Sequence, residues 1–150
     1  MIDDLYSAKI LKLAANMPGA GRLAAPQGSA ERVAKLCGSR VTVDVALDAQ
    51  GRVSDFAQDV KACALGQASA AVLGAHVLGA DLAEIEMAAS GLRAMLQDGG
   101  EPPVGRFSDL AMLEPVKAYP ARHASTMLAF EAAAAAVRAA QTRTSSAGAA

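Results

Sequence analysis

At 150 residues, with 53% hydrophobic residues and only 3% aromatics, the chain has the length of one domain whose core must be built from Ala, Val, Leu and Met. The formal net charge of −1 argues against a nucleic-acid binder or a membrane-surface protein that works through bulk positive charge. No run approaches the roughly 20 apolar residues of a membrane span, no basic region precedes an apolar stretch at the acidic N-terminus (Asp3, Asp4), and two cysteines are too few for a disulfide framework. A reducing, cytoplasmic setting is the expectation.

Residues 1–17 read as an amphipathic helix. Ile2, Leu5, Tyr6, Ile10, Leu13 and Met17 fall near a 3.6-residue period, and Pro18-Gly19 stops it. Residues 18–30 are a glycine- and proline-rich loop. Its Pro18-Gly-Ala-Gly21 run could be weighed as a phosphate cradle, but it lacks both a preceding strand and the Lys-Ser/Thr ending of such loops. Residues 31–62 look like strands. Val41, Val43, Val45 and Leu47 alternate with Thr42, Asp44 and Ala46, as in a half-buried strand. Asp48-Ala-Gln-Gly51 is a turn, and Arg52–Ala62 is the return strand. Its apolar positions change parity between Val53 and Phe56, which predicts a bulge near Ser54. Glu31–Leu36 adds a third strand.

From Cys63 the period changes. Residues 63–79 carry no acidic or strongly basic side chain, as expected of a helix buried all round. Asp81 and Glu84 have capping-box spacing, and Leu82, Ile85, Ala89, Leu92 and Leu96 mark the stripe of the helix that follows. Residues 98–106 form a loop, and 107–119 a short apolar piece broken by Pro115. An Ala-rich helix runs from Ala121 to about Gln141, with a disordered tail over 142–150. Strands segregated from helices predict an α+β fold, in which a small antiparallel three-stranded sheet carries helices on one face. Residues 1–141 form the single domain.

Two soft side chains stand out. Cys37 precedes one strand and Cys63 follows its antiparallel partner, so both belong at the same open end of the sheet. At a strand-to-helix junction the helix N-terminus offers free N–H groups and a positive dipole end, which favour a thiolate. Either cysteine could equally be a small buried hydrophobe. A closed zinc site needs four ligands, against two cysteines and two histidines here. His76, inside the apolar helix, reads as a packed, hydrogen-bonded residue. His123, in the first turn of the last helix, is the better ligand candidate. Ser125 and His123 are two residues apart and point to different sides of a helix, and no Gly-x-Ser-x-Gly motif accompanies them, so hydrolysis is not expected. The Ala132–Ala136 run reads as plain helix.

The run from Leu36-Cys37-Gly-Ser39 through Asp48-Ala-Gln-Gly51 to Val60-Lys-Ala-Cys63-Ala-Leu-Gly-Gln-Ala-Ser69 resembles the iron–sulfur cluster assembly scaffolds of the IscU, SufU and NifU N-terminal kind. In that family a Cys-Gly-Asp opens a strand, a hairpin follows, and a second Cys begins a small-residue helix. Pro120-Ala-Arg-His-Ala-Ser-Thr-Met-Leu128 is similar to the SufU-type segment that carries a third Cys. The long segment before it is SufU-like in layout. Here Ser39 stands at the family Asp and Ser125 at the third Cys. The resemblance implies a non-enzymatic scaffold that receives sulfur and iron at Cys37 and Cys63. His123, Ser125 and Ser39 are further candidate metal ligands. The implied cargo is a transient iron–sulfur cluster, of which [2Fe–2S] is one form, with zinc less favoured because two anionic ligands are lost. The implied partners are a cysteine desulfurase, apo iron–sulfur proteins and a second copy of the chain. The alternative is a relative that binds no metal and docks to, or regulates, a desulfurase or a cluster recipient.

Overall fold

The computed structural model describes residues 8–35 and 38–149, with side chains as far as 142. Cys37 and Leu36 lie outside the described residues, as do the first seven residues of the expected N-terminal helix. Helix α1 (Ala8–Ala15) is followed by strands β1 (Gly28–Ala34), β2 (Ser39–Leu47) and β3 (Val53–Lys61). Helices α2 (Ala64–His76) and α3 (Leu82–Asp98) come next, then 3-10 turns over Gly105–Ala118 and Pro120–Arg122, and helix α4 (His123–Ala149). The sheet order is β1-β2-β3, antiparallel throughout.

The alternation in β2 works as its sequence requires, with Val41, Val43 and Val45 fully buried beneath the helices. Ala46 lies opposite Asp55 while Leu47 lies opposite Val53, so Ser54 is the extra residue of a bulge. This one residue shifts the parity along β3. In the hairpin, Asp48 Oδ1 accepts hydrogen bonds from the N–H groups of Gln50 and Arg52 at 2.9 and 3.0 Å, and Gly51 takes φ +78°.

The third strand begins three residues earlier than its sequence pattern suggests. At Gly28 the strand runs against α4 so closely that a Cβ would lie 2.1 Å from the Ala136 carbonyl oxygen. Only glycine lets the backbones approach in this way. The loop before it is also less irregular than expected. Gly21 N–H donates to Gln58 O, and Gln58 N–H donates to Gly19 O, each at 2.8 Å, which adds a short parallel rung to the free edge of β3. The backbone of the Pro18–Gly21 run is thus used within the sheet rather than held open as a phosphate cradle.

Asp44 sits on the face of the sheet away from the helices, yet it is fully buried. Arg22 roofs it, with Nε 2.7 Å from Oδ2 and Nη2 3.1 Å from Oδ1. Leu23 N–H donates to Oδ2 at 3.0 Å, and the Ser29 hydroxyl donates to Oδ1. Burial alone would push the Asp44 carboxyl up. The hydrogen bonds from Arg22, Ser29 and Leu23, helped by the Arg22 charge, outweigh it and hold the carboxyl below the usual range.

Helix α2 is buried along most of its length, including Leu65, Ala68, Val72 and Leu73. Its last residue, His76, is half-buried and pairs with Asp109 at 2.9 Å, so it belongs to the helix terminus rather than the core. Asp81 and Glu84 form the capping box of α3, and Gly99 ends that helix in the left-handed conformation at φ +67°. In the 105–118 segment Phe107, Leu110, Leu113 and Val116 are buried at every third position. A 3-10 helix has three residues per turn, so this spacing lines one face. Helix α4 lies across β1 and β2 and against α2 and α3. Its alanines from Ala132 to Ala136 let these layers close, and Phe130 meets Phe107 edge to face at 5.2 Å. The helical backbone continues beyond Gln141, where the apolar period fades, to Ala149. Once a helix is nucleated each further residue adds a hydrogen bond at little cost.

Candidate functional site

The sheet delivers Cys63 to the start of α2. Strand β3 ends at Lys61, and Cys63 is the N-cap of the helix, with extended φ/ψ of −65° and 171°. Its carbonyl accepts the first helical hydrogen bond, from Gln67 N–H at 2.9 Å. Its side chain makes no capping bond. The thiol is half-buried and free of any disulfide.

The partner of the sulfur is Ser125. Cys63 Sγ and Ser125 Oγ are 3.4 Å apart, and Ser125 is 1% exposed. The Ser125 hydroxyl also donates to the Arg122 carbonyl at 3.2 Å, which Thr126 shares at 2.8 Å. This approach depends on Gly66. A Cβ there would lie 3.0 Å from the Ser125 carbonyl and 2.8 Å from Ala62 Cβ. The first turn of α2 therefore sits directly on the first turn of α4. Nothing in the sequence pattern around Gly66 separates it from an ordinary small helical residue, so its part in the site was not foreseen.

Ser39 opens β2 opposite Ala34 and is 4% exposed. The neighbouring pair Arg40–Lys61 places it at the same end of the sheet as Cys63. His123 faces another flank. Its Nε2–H donates to the Val116 carbonyl at 3.0 Å, and its ring lines a cleft with Arg93, Gln97, Met127 and Glu131. Successive helical residues are 100° apart, so His123 and Ser125 diverge by about 200°. The structure thus brings together Cys63 and Ser125, puts Ser39 at the same end, and turns His123 elsewhere. Cys37 lies outside the described residues. Among the described residues no group of three or more His, Cys, Asp or Glu is placed to hold a metal ion, and no helix is long and apolar enough to cross a membrane.

A three-stranded antiparallel sheet with helices on one face, and a thiol where the last strand turns into a buried helix, defines the class of this α+β domain. The family model described as the NifU-like N terminal domain matches residues 5–147, and the chain belongs to that family. The crystal structure of a nitrogen-fixing NifU-like protein (N-terminal) from Brucella abortus is 47% identical and superposes with a TM-score of 0.91, covering 94% of this chain and 97% of that one. A putative iron–sulfur cluster assembly scaffold protein for the SUF system from Fervidobacterium islandicum AW-1 is 21% identical with a TM-score of 0.81, covering 90% and 98%. A hypothetical protein is 23% identical with a TM-score of 0.79, covering 91% and 98%. These last two show the fold. A search of curated proteins found no match.

Proposed function

We propose that this chain is a scaffold or carrier in iron–sulfur cluster assembly, and not an enzyme. It takes sulfur and iron at Cys37 and Cys63 and passes a cluster or persulfide to acceptor proteins. The observation that carries this reading is the Cys63 thiol, held half-buried at the start of α2 in a chain of the NifU-like family. An N-cap sulfur is exposed on one side for delivery and backed on the other by Ser125.

The sulfur source is a cysteine desulfurase, and the recipients are apo iron–sulfur proteins. In the transfer step the Cys63 thiolate attacks the outer sulfur of the donor persulfide. A new S–S bond forms at Cys63, the donor S–S bond breaks, and the donor leaves as a thiolate. Both partners work with a protein in the cytoplasm.

The test is loading. Cys37→Ser and Cys63→Ser should each abolish cluster and persulfide loading, with circular dichroism unchanged. Unaltered loading in both variants would end this reading. The hydroxyls of Ser39 and Ser125 favour a second one, a docking protein for a desulfurase or cluster recipient that carries no metal itself. That reading requires the complex with a desulfurase to survive loss of both cysteines.

A further inference from the structure

We propose that the groove where β1, α3 and α4 meet binds a small phosphate-bearing anion. The inference does not rest on the scaffold reading, and neither Cys63 nor Ser125 lines the groove. It starts from one residue of β1. The core-facing row of that strand pairs Gly28 with Val45, Ala30 with Val43, Arg32 with Val41 and Ala34 with Ser39. Helix α4 lies close over this row, which accounts for its glycine and alanines. Arg32 is the one long side chain among them, although its partner Val41 is fully buried. Burying an unpaired charge is costly, so Arg32 leaves the core at the sheet edge and is exposed. Among the described residues its guanidinium pairs with no carboxylate, and its Nη1 donates to the Glu31 carbonyl at 2.9 Å.

The groove that Arg32 enters has a volume of about 350 Å³ and is walled by Glu86 and Arg93 of α3 and by Glu131 and Arg138 of α4. Small-molecule sites run from about 300 to 1,000 Å³. Each arginine of one helix meets a glutamate of the other. Arg93 Nη2 is 2.8 Å from Glu131 Oε2, and Arg138 Nη2 donates to Glu86 Oε2. Each pair engages one nitrogen of its guanidinium, and the fork of N–H donors is larger than that. Three cations thus face two carboxylates, and the positive charge left over is that of Arg32. One guanidinium fork satisfies a planar carboxylate, whereas a tetrahedral phosphate offers oxygens to several. Arginines from three elements around one groove therefore select the phosphate class. Guarding the free edge of β1 against a further strand needs Arg32 alone. The arginines of α3 and α4 beside it are what point to a ligand.

The experiment titrates the full, metal-free chain with inorganic pyrophosphate at constant ionic strength and follows the arginine Nε–H signals by NMR. Citrate, an anion of similar charge, is the carboxylate comparison. Pyrophosphate is expected to shift the Arg32, Arg93 and Arg138 signals together and saturably, and to bind more tightly than citrate. Arg32→Gln, its fold checked by circular dichroism, should weaken binding about tenfold. Arg138→Gln, an exposed change on α4, should weaken it likewise. Arg52→Gln removes the same charge from the β2–β3 turn and should leave the affinity unchanged. Shifts that never saturate, or equal weakening by Arg32→Gln and Arg52→Gln, would reveal unspecific attraction and overturn the site. Citrate binding as tightly as pyrophosphate would overturn the phosphate class. The titration contains no iron, so its failure leaves the scaffold reading standing.

Discussion

At the scale of single residues, the 3.4 Å between Cys63 Sγ and Ser125 Oγ sets the chemistry of the site. The position beside Cys63 is built for a small polar atom, buried and anchored on α4. Ser125→Cys replaces that hydroxyl with a soft, ionisable ligand at the same place. It should raise zinc affinity about tenfold or more, measured by chelator competition. Unchanged zinc affinity would show that the two side chains do not converge on a metal. The place of Cys63 was legible, because the period changes from two to helical where it stands, and the antiparallel hairpin put it at the end of the sheet from which β2 starts. Ser125 was legible only through the Pro120-Ala-Arg122 resemblance. Asp44 was not legible as a buried group. Its parity assigns it to the solvent face, and only the tertiary fold shows Arg22 and Leu23 closing over it.

At the scale of elements, two junctions hold the site in shape. The first is the crossing of α2 and α4 at Gly66. Gly66→Ala forces the helices apart against Ser125 O and Ala62 Cβ. A cost of about 1–2 kcal/mol is expected in urea unfolding, together with weakened metal loading. Loading equal to wild type would show that the site does not depend on this contact. The second is the clamp of Arg22 and Leu23, from the loop before β1, and of Ser29 in β1 on Asp44. Asp44→Ala removes the acceptor of four hydrogen bonds from three residues and should cost about 2 kcal/mol at pH 7. The Asp44 carboxyl lies below its ordinary value, so its contribution is complete above the unfolded pKa of about 3.9 and is lost as pH falls through the folded one. The stability gap between wild type and Asp44→Ala should therefore close in strong acid. A gap that stays constant from pH 7 into strong acid would contradict the clamp. Elements with a regular period were readable from the sequence, including β2, the Ser54 bulge and the capping box of α3. The 105–118 segment was not. Its three-residue spacing is written in Phe107, Leu110, Leu113 and Val116, but Pro115 obscures it when only helical and strand periods are sought.

At the scale of the whole molecule, the fold serves to present one end. The sheet is closed on one side by helices and partly roofed on the other by the Arg22 loop. Its strands carry Ser39 and Cys63 to the end where α2 and α4 begin. The α+β architecture followed from the segregation of strands and helices, and the family confirms it. The most direct test of the scaffold claim is anaerobic reconstitution with iron and sulfide, reading visible absorption and iron per chain on wild type and on the Cys37→Ser, Cys63→Ser double variant. The account predicts a chromophore in the wild type and none in the double variant, with both chains equally folded. Equal iron and equal colour in the two proteins would contradict it.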